Sequence, residues 1–205
     1  MARRSDHRPE ELKQLIRDAG CRHLAELGAD NFSARQVADD IGYTVRTLYN
    51  VFGSHQNLLL DLHRQTLAEC HVMIADALSH TRRNRLHVWV EALVDFATSH
   101  RNRWLAVSTL ILKPETVRPP EMAKATEMLM QQLEAELEPF ASGHSALLRR
   151  TAQTFWASLL GMLQLNLNST FRGFALDDPK RLARDLIDTY LRGLKYAPPG
   201  FGRGK

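Results

Sequence analysis

The chain has 205 residues, 44% of them hydrophobic and 24% charged, the composition of a globular protein of one or two domains with a real core. Residues 1–9 are polar and basic with no apolar segment behind them, and the apolar runs at 104–112 and 155–165 fall far short of the roughly 18 residues needed to cross a bilayer, so a secretory signal and a membrane span are not expected and the expected compartment is the cytoplasm. A net charge of +4 and a pI near 9.3 hint at nucleic acid, while Cys21 and Cys70, with no C-x-x-C, read as buried thiols in a reducing compartment.

Residues 1–8 form a basic arm, placed against phosphates, in a minor groove, or free as a solvated tail. Pro9 suits the first turn of a helix. Leu12, Leu15, Ile16, Ala19, Leu24 and Leu27 then make a helical stripe that ends at Gly28. Phe32 is expected to pack inward from the following loop. Ser33, with Gln36 three positions on, carries the signature of a capped helix start. Val37, Ala38 and Ile41 share one face of this short helix, and Gly42 stops it. Thr44 caps a second short helix in which Leu48 and Phe52 face inward, with Val51 beside them, and Gly53 ends it. Ser54 caps a third, through Leu58, Leu59, Leu62, Leu67, Val72, Met73 and Leu78 to about Ser79. Two short helices across a tight glycine turn make a helix-turn-helix. The small Ala38 lets them cross closely, and Arg46, Thr47 and Asn50 project opposite Leu48, as recognition in a major groove requires.

From Leu86 onward the pattern stays helical. Leu86, Trp89, Val90, Leu93, Val94 and Ala97 form one stripe, and 104–112 another, closed by Lys113-Pro114. After a loop at 115–120, Pro119-Pro120 opens an amphipathic helix through Met122, Ala125, Met128, Leu129 and Leu133 to Leu137, with Glu134, Glu136 and Glu138 on its wet side. Residues 145 to about 172 form the most apolar helix, with one stripe through Leu148, Ala152, Phe155, Leu159 and Met162 and a second through Trp156, Leu160, Leu163 and Leu167. Two stripes imply burial on two sides, one against a partner chain, and Ala157, Ser158 and Gly161 permit close approach. Asp178-Pro179 starts the last helix, with Leu182, Leu186, Ile187, Tyr190, Leu191 and Leu194. The tail from 197 has no core-forming pattern and is expected to be disordered. The fold class is therefore all-α, an N-terminal three-helix helix-turn-helix domain followed by a larger helical bundle, about nine helices in all, with no strand. The expected domains are 1–55 for the arm and helix-turn-helix, 56–196 for the larger helical bundle and its dimerisation, and 197–205 for the tail.

The run G-Y-T-V-R-T-L-Y-N-V-F followed by G-S-H-Q-N-L-L, with Phe32-Ser33 and the preceding L-I-R-D-A-G-C-R-H-L-A-E-L-G, resembles the TetR family of bacterial transcriptional regulators over roughly residues 10–62. The resemblance implies a ligand-responsive repressor that binds a palindromic double-stranded DNA operator as a homodimer paired through its last two long helices. Leu159, Met162, Leu163, Leu186 and Tyr190 are the candidate dimer residues. Ser33 and Arg35 open the helix before the turn and would contact phosphate or groove edge. Thr44 and Tyr49 look like hydroxyl contacts to phosphate or sugar, and Thr47 and Asn50 reach phosphates or base edges. Four positions depart from the family's usual pattern. Val45 is apolar where a polar residue is common, Val51 replaces an aromatic or histidine, and Arg46 replaces a small residue. His55 stands where a lysine usually meets a phosphate, which predicts weaker binding, or binding favoured at lower pH, where imidazole is charged. Arg46 is assigned as a guanine reader, its fork matching O6 and N7. Residues 1–55 hold eight Lys/Arg and eight Asp/Glu, so any positive footprint must come from local placement.

An effector is implied by the same resemblance, and an apolar or aromatic small molecule suits the composition of the second half. Candidate pocket residues are Trp89, Phe96, Trp104, Met122, Met128, Phe155 and Trp156, with Ser108, Thr109, Gln153 and Gln164 as polar handles; core packing accounts for the same residues. No cofactor and no metal site is expected. The nine histidines lack metal-ligand spacing, and no G-x-S-x-G, H-E-x-x-H or glycine-rich phosphate loop supports an enzyme. The competing reading is a helical small-molecule-binding or protein-binding protein with a degenerate DNA module.

Overall fold

A computed structural model describes residues 7–112, 120–140, 145–168 and 176–195, by backbone alone at 110–112, 120–121, 145–147 and 195. Among the described residues there are nine α-helices, one 3-10 turn at Glu138–Phe140 and no strand. The helices are α1 Pro9–Leu27, α2 Ala34–Asp40, α3 Val45–Phe52, α4 His55–Ser79, α5 Arg85–Ser99, α6 Arg101–Leu112, α7 Pro120–Leu137, α8 Ser145–Leu167 and α9 Pro179–Lys195. The chain packs into two compact units, Met1–Glu69 with His100–Ala125, and Cys70–Ser99 with Thr126–Lys205.

In the first unit α1 packs on α2, α3 and α6. Its core joins Ile16, Ala19 and Leu24 of α1 to Val37 and Ala38 of α2, Leu48 and Phe52 of α3, Leu58 and Leu62 of α4, and Ala106 of α6. Gly20 sets the spacing of α1 on α4, since a Cβ there would lie 2.9 Å from two Leu62 methyl carbons. The short helices are bounded by side-chain caps. Ser33 Oγ accepts the Gln36 N–H at 3.4 Å, Thr44 Oγ1 that of Thr47 at 3.2 Å, and Ser54 Oγ that of Asn57 at 3.0 Å. Gly42 and Gly53 follow α2 and α3 with φ of +76° and +85°, a region other residues enter only with strain. Asn102 of α6 donates to the Ala25 carbonyl at 2.7 Å, tying the end of α1 to a helix far along the chain.

In the second unit α9 packs on α5, α8 and the 3-10 turn, and α5 on α8. Asp178 Oδ1 accepts the N–H groups of Lys180 and Arg181, both at 3.0 Å, and so caps α9 as its position before Pro179 predicts. The structure corrects two expectations. Glu136 is buried rather than on the wet side, because Arg85 reaches it with two hydrogen bonds of 2.6 and 2.8 Å and supplies the counter-charge its burial demands. Helix α8 stops at Leu167, short of the expected end near 172, with Asn166 donating its side-chain N–H to the Asp177 carbonyl; residues 169–175 lie outside the described residues. The expected loop at 115–119 and the tail from 197 also lie outside them.

Candidate nucleic-acid interface

The helix-turn-helix is held by its own backbone. After α2, Tyr43 N–H donates to the Ala38 carbonyl at 2.9 Å across the turn, and Thr44 begins the capped α3. Leu48 and Phe52 face the core, which fixes the rotation of α3. Arg46 and Asn50 then stand fully outward and Thr47 is half-exposed. The hydroxyls of Thr44 and Thr47 lie 3.0 Å apart, so one donates to the other and the second keeps its proton for an outside acceptor. Val45, Tyr49 and Val51 pack partly on the core. That contact accounts for two of the unusual residues, because a valine at 45 or 51 buries more apolar surface than a polar side chain would. Tyr49 is half-exposed, its ring packed against the core. Ser33 caps α2, Arg35 is exposed on its first turn, and His55 opens α4 with its ring 5.9 Å from that of Phe32.

Ion pairing sorts the charges of this neutral segment. Arg22 lies 2.8 Å from Asp40, and His23 3.4 Å from the same oxygen. The Arg22 hydrogen bond, and then that of His23, hold the Asp40 carboxyl below its ordinary range. Arg17 grips Asp61 with two donors, one at 3.1 Å, and Arg64 adds a third at 3.2 Å. Burial pushes the Asp61 carboxyl up, and the hydrogen bonds and charge of Arg17 with those of Arg64 outweigh it, for a net shift downward. By contrast Arg8, Arg35 and Arg46 have no carboxylate within ion-pair distance among the described residues. The carboxylates Asp40 and Asp61 are thus spent on α1 and α4 cations, and the cations on and beside the outward face keep their full charge for an anion.

The other sequence candidates divide between the units. Trp104 and Met122 belong to the first; Trp89, Phe96, Met128, Phe155 and Trp156 belong to the second. All are buried except Met128, which is 39% exposed. Trp89 and Trp156 meet edge to face at 6.1 Å, and the Trp89 indole N–H is buried without an acceptor among the described residues. Of the candidate dimer residues, Leu159 and Leu163 are fully buried in their own unit, while Met162, Leu186 and Tyr190 are half-exposed. Tyr190 packs edge to face on Phe155 at 5.2 Å, and its hydroxyl lies 3.2 Å from Ser158 Oγ. The outward face of α8 shows Ala157, Gly161 and Leu165. Among the described residues, no group of three His, Cys, Asp or Glu is placed to hold a metal ion, and no helix is long and apolar enough to cross a membrane.

The family model for "Bacterial regulatory proteins, tetR family" matches residues 16–62, and that for "Tetracyclin repressor-like, C-terminal domain" matches residues 86–190. The chain belongs to the TetR family. It is a ligand-responsive, DNA-binding transcriptional regulator, in a family that is regulatory rather than enzymatic. No curated protein matches the sequence. Among solved structures, a protein of unknown function from Rhodococcus sp. RHA1 is similar at a TM-score of 0.72 and 19% identity, over 94% of this chain and 98% of that one. The TetR-family repressor FadR of Thermus thermophilus, solved with lauroyl-CoA, superposes at 0.64 and 17% identity over 91% and 95%. SmeT, the repressor of the Stenotrophomonas maltophilia multidrug efflux pump SmeDEF, does so at 0.59 and 17% over 92% and 90%. At these identities the likeness is one of fold.

Proposed function

We propose that this TetR-family protein is a cytoplasmic repressor that binds a palindromic operator as a homodimer and leaves it when an apolar or aromatic small molecule binds. In this reading residues 1–55 contact DNA and 56–196 bind the effector and the partner subunit. The observation that carries it is the outward face of α3, where Arg46 and Asn50 are exposed and Thr47 half-exposed, with no carboxylate paired to Arg46 among the described residues. On this face Arg46 reads a guanine, Asn50 a neighbouring base edge, and Arg35, Thr44, Tyr49 and His55 hold phosphates, with Ser33 and Val45 at the margin.

The dimer reading rests on the exposed Ala157, Gly161 and Leu165 face of α8, with Met162, Leu186 and Tyr190 half-exposed in the same unit. A Cβ built on Gly161 meets nothing within 4 Å, so a second helix can lie close against that position. The effector reading rests on the buried aromatic residues of the second unit, Trp89, Phe96, Phe155 and Trp156, and the Trp89 N–H, without an acceptor among the described residues, is a donor that a ligand oxygen would satisfy. Trp89 and Trp156 of that set pack on each other, so tryptophan fluorescence is the natural probe. Lauroyl-CoA in the Thermus thermophilus protein makes fatty acyl thioesters a reasonable first panel, beside flat aromatic compounds. The test is titration of the protein–operator complex with that panel, read by DNA anisotropy and tryptophan emission together. Release of DNA with a matched change in emission supports the reading. A panel that moves neither removes its effector half.

A further inference from the structure

The first unit holds a cleft that neither its core nor the outward face of α3 uses. Its volume is 460 Å³, the size of a small-molecule site, and α1, the last turn of α3, the first half of α4 and the start of α7 line it. Part of the lining is apolar, with Val51 and Phe52 from α3, Leu60 from α4 and Met122 from α7. Leu60 and Met122 are buried, yet both stand outside the core that joins Ile16 to Leu48.

The rest of the lining is cationic. Lys13, Arg17 and Arg64 face a single carboxylate, Asp61. Asp61 already accepts two hydrogen bonds from Arg17 and one from Arg64. Arg64 spends one N–H on it, and the others have no acceptor among the described residues. Lys13 has no carboxylate within ion-pair distance among the described residues, and its Nζ lies 5.9 Å from the centre of the Phe52 ring. Cations alone would suit any anion, and apolar surface alone any hydrocarbon. Side by side they select a molecule with both parts, its head on Lys13 and Arg64 and its body against Phe52 and Met122. A guanidinium fork matches the oxygens of a carboxylate or a phosphate.

The position of the cleft gives such a ligand a consequence. Val51 follows Arg46 by five residues, about 7.5 Å along the axis of α3 at about 1.5 Å per residue. Charge in the cleft therefore acts on the DNA-facing side over roughly one Debye length, about 10 Å at 0.1 M salt. Two unit charges about 10 Å apart in water change an equilibrium by about twofold.

We propose that this cleft binds a small organic anion, an apolar body with one carboxylate or phosphate head, and that the bound anion weakens the hold of the first unit on DNA. The site goes beyond the effector reading, which draws on the second unit. Only its effect on DNA rests on the DNA-binding reading above.

The experiment titrates the full chain by calorimetry with benzoate, phenyl phosphate, benzyl alcohol and inorganic phosphate, as wild type, Lys13→Met and Arg64→Met. Unfolding temperatures are recorded for each. Arg17 still holds Asp61 when Arg64 is replaced, so both variants should stay folded. Benzoate or phenyl phosphate should bind with a Kd of about 1 mM or tighter, and the tighter of the two names the head group. Benzyl alcohol and inorganic phosphate should each bind about tenfold more weakly or worse. Each variant should weaken the organic anion by about threefold to tenfold, less than a buried charged contact would give, because both side chains are partly exposed. On a duplex selected by the protein, at fixed ionic strength below about 0.1 M, replacing acetate with the saturating organic anion should weaken DNA binding by about twofold, and Lys13→Met should abolish that effect.

Binding that neither variant changes would place the ligand elsewhere and overturn the site. Equal binding of benzyl alcohol or of inorganic phosphate would overturn it too, as would no binding of any probe at about 10 mM. An organic anion that binds through Lys13 and Arg64 and leaves DNA affinity unchanged would overturn the coupling. Absence of affinity for any duplex would defeat the DNA-binding reading and the coupling with it, while the calorimetry decides the cleft by itself.

Discussion

Arg46→Ala separates base reading from backbone binding in this protein. Arg46 is exposed on the first turn of α3 and pairs with no carboxylate among the described residues, so its removal breaks no bond of the folded chain and should leave stability within about 0.5 kcal/mol. On DNA the loss should be larger. A bidentate arginine–guanine contact contributes about 1–3 kcal/mol of discrimination, which is about fivefold to 150-fold in affinity at about 1.4 kcal/mol per decade. The loss should fall at one base position of each half-site, where the variant tolerates all four bases almost equally, while other positions keep their preference. The assay is anisotropy on the operator and on duplexes substituted one position at a time, at two or more salt concentrations. A phosphate contact would behave differently, with a uniform loss across sequences and a salt slope reduced by about 1. That second pattern would refute the assignment of Arg46 as a guanine reader.

Four further substitutions test the scaffold. Thr44→Ala removes the oxygen that accepts the Thr47 N–H at 3.2 Å and should cost about 1 kcal/mol in chemical denaturation, with no change in the dependence on denaturant. Asp61 has a folded pKa below its ordinary 3.8, so it contributes stability that is full above that value and lost as pH falls through the lower folded value; Asp61→Asn should flatten acid unfolding below about pH 4 and leave little difference in slope near neutrality. Arg103 is buried, with Nη1 2.7 Å from Glu69 and Nε 3.1 Å from the Thr66 hydroxyl, and its Nη2 has no acceptor among the described residues. Arg103→Met keeps the apolar stem and discards the unmet donor, so it should cost less than about 1.5 kcal/mol. Glu69→Ala strands the cation and should cost about 1–3 kcal/mol, discounted from the fully buried figure because Glu69 is 37% exposed. Equal losses in thermal unfolding would contradict that ordering.

Local chemistry made most of the fold legible. Ser33, Thr44, Ser54 and Asp178 each cap the helix their position announced, and Gly42 and Gly53 take the positive φ that ends α2 and α3. The outward face of α3 followed from the placement of Leu48 and Phe52 alone. What escaped the sequence depends on distant partners. The burial of Glu136 is set by Arg85, which lies 51 positions earlier. The packing of α6 on α1, which gives the first unit its second segment, has no local signature. Leu159 and Leu163 could be assigned to an apolar stripe, but only the fold shows that the core of their own unit takes both. The neutral count of residues 1–55 concealed a sorted arrangement, because charge totals do not say which carboxylates Arg17 and Arg22 occupy. The cleft that Lys13, Phe52 and Arg64 line had no local signal, because three different helices supply them.

The central claim is that α3 reads sequence in duplex DNA from a symmetric dimer. The most direct test is selection of the purified protein on random duplex DNA at moderate salt, followed by sequencing of the bound pool. The account predicts a palindromic motif, with two half-sites about one helical turn apart or a multiple of it. Enrichment of no motif above background, with the protein folded and free of effector, would contradict it.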